Sequence, residues 1–216
     1  MNPVRKARET KRPGHTRKWV VAVSVLFLVS ILLVAGYFWY PKTSVNSQQG
    51  ETSPFEVFTD HYLRIMHNLN LSQTKTTMSS LLSPSYNQTS LFAWEQSKLQ
   101  FVQDPAGWFD DPFQILNSGK GVCEQFSVVY VSACLALGYQ SRLVVAVDSA
   151  RWTFIHVWAE DYYNGTWVHV DPSDSLWNNP SRYQSWDWGY AIGSGVKIYA
   201  FEDGIFKDVT SIYRAP

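Results

Sequence analysis

Residues 119–147 read GKGVCEQFSVVYVSACLALGYQSRLVVAV, and this stretch decides the fold. The run from Lys120 to Leu137 is largely apolar, is entered through Gly119 and Gly121, and is followed by Gly138, where a left-handed cap ends a helix. That predicts a helix over 120–137, with a β-like run from Arg142 to Val147 after it. Cys123 falls in the first turn of this helix, where unpaired N–H groups and the helix dipole favour an anion. Cys134 lies about 16 Å further along the same axis, too far for a disulfide with Cys123. Among its Val, Ala and Leu neighbours it reads as a small buried hydrophobe.

Working outward, Phe154–Tyr162 and Thr166–Val170 are β-like and are separated by Asn164-Gly165, a strong hairpin turn signal. Val196–Phe201, the turn Glu202-Asp203-Gly204 and a short strand to Val209 close the chain. Upstream, helices are expected at Phe55–Asn68 and Ser90–Val102, broken by the Ser/Asn/Pro-rich segment 79–89. No internal repeat is present. The expected class is α+β, with N-terminal helices packed on an antiparallel sheet.

The formal net charge of zero hides two opposite halves. Residues 1–40 carry seven Lys/Arg against one acid, and the remainder eleven against seventeen. An acidic body without a glycine-rich nucleotide loop disfavours nucleic acid as a partner. Residues 19–40 are uncharged, rich in Val, Leu, Ile and Phe, and bracketed by Trp19 and by Tyr37, Phe38, Trp39 and Tyr40. At 1.5 Å per residue they are long enough to cross a hydrocarbon layer of about 30 Å. The basic cluster before them puts residues 1–18 in the cytoplasm and the body outside. A signal peptide cleaved at Val34-Ala35-Gly36 is the competing reading, and it also exports the body. Sequons at Asn70, Asn87 and Asn164 agree with export. Residues 41–54 read as a flexible stalk and 55–216 as one domain.

A thiolate nucleophile needs a base and a group to orient it. His156 opens HVWAE on one predicted strand and Asp171 ends WVHVD on the next, so the hairpin brings them near each other. Cys123, His156 and Asp171 are therefore the candidate triad, with His169 as a fallback base. The oxyanion donors expected are the Cys123 N–H and either Asn117, six residues upstream, or Trp108. Trp158 and Trp188, with Trp152, Trp167, Trp177 and Trp186, offer a substrate wall, or else simply pack the core. His61 and His67 lie on one helix at a spacing that suits no metal site, no CxxC pair exists, and Asp110, Asp111 and Asp148 lack a calcium-loop spacing. No metal and no cofactor are expected.

At GVCEQFSVVYVSACLALGYQSRLV, HVWAE and WVHVDPSD the sequence resembles the transglutaminase-like superfamily. The tail RYQSWDWGYAIGSGVKIYAFEDGIFKDVTSIYR is similar to the close of its peptide:N-glycanase branch. The resemblance covers about residues 105–214. It implies a papain-like cysteine-enzyme fold, Cys123 as nucleophile, His156 as general base and acid, and Asp171 as the orienter of His156. It also implies attack on amides of peptides or glycoproteins through a thioester. Where the glycanases carry Gly-Glu-aromatic after the nucleophile this chain has Glu124-Gln125-Phe126, and their zinc-binding cysteine pairs are missing. The competing expectation is a module that keeps the fold to bind cell-surface proteins or glycans without catalysis.

Overall fold

The structure is a computed structural model and describes residues 53–103, 109–178 and 195–213. The basic head, the expected membrane span 19–40 and nearly all of the stalk lie outside the described residues. Among the described residues no helix is long and apolar enough to cross a membrane.

Three helices come first: α1 (Pro54–Asn70), α2 (Ser72–Ser79) and α3 (Gln88–Gln96). A reciprocal capping box starts α1: the Glu56 N–H donates to Ser53 Oγ at 3.2 Å and the Ser53 N–H to Glu56 Oε2 at 2.8 Å. The Asn87 side chain caps α3, accepting from the Ser90 N–H at 2.8 Å. This helix stops at Gln96, short of the expected Val102, because Gln100–Phe101 pairs as a short strand β1 with β2 (Lys120–Gly121). Between these strands lies α4 (Pro112–Ser118), entered through the Asp111 cap and closed by Gly119 at φ +65°.

The central helix α5 runs Cys123–Ala136. Its expected first three residues are instead β2 and the extended cap Val122. The late start makes Cys123 the first residue of the helix. A Cβ on Gly121 would come within 2.9 Å of the Gln125 Cβ, so any larger residue there would force the start of α5 to shift. Residues 124–134 of this helix are all buried, which explains how a Val-rich segment of modest helix propensity forms one.

The sheet has the order β6-β5-β4-β3-β7-β8, with every neighbouring pair antiparallel. Its strands are β3 (Ser141–Asp148), β4 (Thr153–Tyr163), β5 (Thr166–Asp171), β6 (Leu176–Trp177), β7 (Val196–Glu202) and β8 (Ile205–Asp208). Asn164 and Gly165 take φ +50° and +86°, as the predicted tight hairpin requires. One face packs on the helices through Leu143, Val145, Val157, Ala159 and Val170. The other carries a smaller cluster of Val144, Ala146, Trp158, Ile198 and Ala200, closed by Tyr213 of the terminal helix α6 (Thr210–Tyr213).

Candidate active site

Cys123 stands half-buried at the start of α5, and both cysteines are free thiols. The helix is anchored to β4 by Ser127, whose hydroxyl reaches the Cys123 carbonyl at 2.9 Å and the Val157 carbonyl at 3.2 Å. That cross-link ties the first turn of α5, with Cys123, to Val157, the residue after His156, and the Cys123 side chain helps to raise the pKa of the imidazole. The structure therefore joins His156 to Asp171 and sets the start of α5, which carries Cys123, against the strand that bears His156.

His156 Nε2 lies 2.6 Å from Asp171 Oδ2. The β4–β5 register pairs Ala159 with Val170 and Glu160 with His169, so it would set Asp171 across from Trp158. His156 and Asp171 are thus diagonal neighbours on one face of the sheet, not directly opposed. Asp171 is fully buried. Its second oxygen, Oδ1, accepts from the Ser173 N–H at 3.0 Å, the Ser173 hydroxyl at 2.7 Å and the Asp174 N–H at 3.1 Å. Burial of the imidazole opposes its charge, but the Asp171 hydrogen bond and then the Cys123 side chain outweigh it, and the His156 pKa is pushed up to about 10.

The turn after Asp171 is clamped by α3. Gln96 Nε2 donates to the Pro172 carbonyl, and the Ser175 hydroxyl donates to Gln96 Oε1 at 2.8 Å. Beside this clamp Glu95 is wholly buried, and burial pushes its carboxyl up to about 8, with the nearby Asp171 charge acting in the same direction. Glu95 and Gln96 escaped sequence reasoning, because nothing in a short polar helix end indicates which loop it will meet. Ser173 escaped that reasoning as well, although Asp-Pro-Ser-Asp after a strand is the pattern of a side-chain-capped turn.

His169 shares the sheet face of His156 but is buried, its ring 6.0 Å from that of Trp158, and burial lowers its pKa to about 4. It is a neutral packing residue of that face. Trp158 corrects the expected substrate wall: it is fully buried, donates its indole N–H to the Tyr213 hydroxyl at 3.0 Å and stacks on His156. A side chain packed between sheet and terminal helix cannot present its ring to a substrate. Trp167 supports the Arg142 guanidinium at 3.8 Å, and Trp177 packs on Phe92. Asn117 is exposed in α4, while Trp108, Trp186 and Trp188 lie outside the described residues. The tertiary structure also assembles what helical spacing did not reveal, a group of His61, Asp110 and Glu124 with donor atoms within 4.8 Å of one another.

These elements define a transglutaminase-like fold, with a Cys at a helix start and a His–Asp pair on adjacent strands. Residues 72–172 match the family model of the Transglutaminase-like superfamily. The peptide-N(4)-(N-acetyl-beta-glucosaminyl)asparagine amidase of Oryza sativa subsp. japonica is 30% identical over 104 residues, which are 47% of this chain and 21% of that protein. The amidase of the same name from Drosophila melanogaster is 36% identical over 107 residues, 49% of this chain and 15% of its own length. The similarity is thus confined to the core and spans about a fifth or less of these two relatives. Among solved structures, Legionella pneumophila LapG aligns with 71% of this chain and 87% of its own, at 16% identity and a TM-score of 0.40.

Proposed function

We propose that this protein is a transglutaminase-like thiol amidase in which Cys123 is the nucleophile, His156 the general base and then acid, and Asp171 the group that orients His156. The observation that carries the reading is the 2.6 Å contact of His156 Nε2 with a fully buried Asp171, on a strand to which Ser127 ties the first turn of the helix bearing Cys123. Asp171 occupies Nε2, which leaves Nδ1 as the ring atom for the thiol proton. The Cys123 thiolate attacks a carboxamide carbonyl carbon, the C–N bond breaks, and the amine departs with the proton from His156. His156 then takes a proton from water as the oxygen attacks the thioester, releasing a carboxylic acid and restoring the thiol; an amine in place of water would give transamidation.

Peptide or glycoprotein amides are the substrate class, on the strength of the amidases that share the core. The oxyanion falls to the Cys123 N–H and a second donor, for which Asn117 and Trp108 are the candidates. Residues 19–40 anchor the protein in a membrane with the domain on the extracytoplasmic side, as the charge asymmetry supports. Brief alkylation of the protein across pH 5 to 9, followed by mass spectrometry, tests the ion pair. Cys123 should label selectively at pH 6 in the wild type and lose that selectivity in His156→Ala. Release of amine from glycopeptide and glutamine amides then identifies the reaction, and ordinary thiol reactivity in both proteins would sink the reading.

A further inference from the structure

We propose that His61, Asp110 and Glu124 bind a divalent first-row transition ion of the Zn²⁺, Mn²⁺ or Fe²⁺ class, beside the first turn of the helix that carries Cys123. The three residues come from separate segments: α1, the residue before the α4 cap, and the second position of α5. Their donor atoms lie within 4.8 Å of one another. Bonds of about 2.0–2.2 Å to one ion bring donors within roughly 4.2 Å of each other, so a small rotation of two partly exposed side chains closes the site.

Glu124 sets this group apart from a solvated cluster of acids. Its side chain is 6% exposed. The Tyr62 hydroxyl donates to Oε2 at 2.6 Å, which fixes the carboxylate, while Oε1 pairs with His61 Nε2 at 3.6 Å and Asp110 Oδ2 stands 4.0 Å from Nδ1 of the same ring, so the three side chains already converge on one another. Neighbouring residues handle the helix ends: Asp111 accepts from Phe113 and Gln114 N–H groups, and Gln125 from the Val122 N–H. Asp110 and Glu124 are instead turned to a cavity of about 870 Å³, which leaves room for water or a ligand to complete the coordination. Asp60 adds negative charge to the lining. Arg64, the one Lys or Arg among the described residues that line the cavity, is exposed, and its Nη2 lies 3.4 Å from His61 Nδ1. An imidazole nitrogen with two carboxylates favours a transition ion over Ca²⁺ or Mg²⁺, which prefer all-oxygen cages.

The test is independent of any enzymatic turnover. Untagged full-length protein, stripped with chelator, is dialysed against Zn²⁺, Mn²⁺ or Ca²⁺, and bound metal is counted by mass spectrometry, with Mn²⁺ also followed by electron paramagnetic resonance. The expected result is one transition ion per chain, weakened at least tenfold in His61→Asn and in Asp110→Asn and unchanged in Cys123→Ala. Asp110→Asn changes a partly exposed side chain with no cap to lose, so it keeps the fold, which circular dichroism verifies. No uptake, uptake of Ca²⁺ alone, equal uptake by the variants, or uptake lost with Cys123 would each overturn the proposal.

Discussion

His156 Nε2 and Asp171 Oδ2 lie 2.6 Å apart, although the two residues sit on different strands and are diagonal, not paired, in the register. The contact exists because the turn 171–175 fastens the other carboxylate oxygen to Ser173 and Asp174. A buried carboxylate so held keeps its free oxygen directed at the imidazole.

That contact has a titration signature. Burial disfavours the charged ring, the Asp171 and Cys123 side chains favour it, and the balance lifts the pKa from 6.5 to about 10. The stabilisation from charged His156 is therefore complete below about pH 6.5 and fades as pH rises through about 10. Histidine-selective NMR should show the ring protonated at pH 8 and a large downward shift in Asp171→Asn. A wild-type ring titrating near 6.5 would contradict the geometry.

Cys123→Ala and His156→Ala should each lower amide hydrolysis by about a thousandfold or more, and the double variant should lose little beyond either single one, because the two groups act as a unit. Comparing kcat/KM of the three proteins on one glycopeptide amide measures this. Independent, additive losses would separate the two residues mechanistically.

Glu95 should make stability pH-dependent in the direction opposite to a salt-bridged acid. Its folded pKa, pushed to about 8 from 4.5 first by burial, means the unfolded chain ionises earlier, so this residue's contribution is intact below about pH 4.5 and is lost as pH rises to about 8. Glu95→Gln should therefore gain stability relative to wild type as pH increases across that window. Urea melts at pH 5 and pH 8 that differ equally for both proteins would refute it.

Gly121→Ala should cost about 1–3 kcal/mol, because the added methyl meets the Gln125 Cβ at 2.9 Å and the start of α5 must shift. The same shift displaces Cys123, so activity should fall more than stability accounts for. Denaturant melts and kcat/KM of the one variant check both parts.

Arg142→Ala should destabilise by about 3–5 kcal/mol. Arg142 is buried, donates through Nε to Glu160 Oε2 at 2.7 Å and through Nη1 to Glu202 at 2.8 Å, and Glu160 also accepts from Tyr213. Removing the guanidinium strands Glu160 in the interior, and a loss below about 1 kcal/mol in a denaturant melt would show that the network relaxes.

Much of the framework is written in short-range pattern. Gly121 before Cys123 and Gly138 after Leu137 bound the central helix, and Asn164-Gly165 alone specifies the β4–β5 hairpin that sets His156 near Asp171. The helix start was placed three residues early, because Lys120–Gly121 pairs with Gln100–Phe101 and that partner is distant in sequence. The short helices α2 and α4 were not separated from loop, since eight residues or fewer carry little periodicity. For Trp158 the sequence left a substrate wall and core packing both open, and the side of the sheet that α6 covers decides for packing.

The sequence by itself determined a helix carrying Cys123 near its start, the strands bearing His156 and Asp171, and the charge asymmetry around residues 19–40, because capping, tight turns and hydrophobic runs are local physics. Only the tertiary structure decided that Gln96 clamps the turn after Asp171, that Glu95 is buried beside it, and that His61, Asp110 and Glu124 converge. Each of those depends on packing α1, α3 and α5 against one sheet, where burial raises or lowers a charge's cost and brings together side chains that lie far apart along the chain.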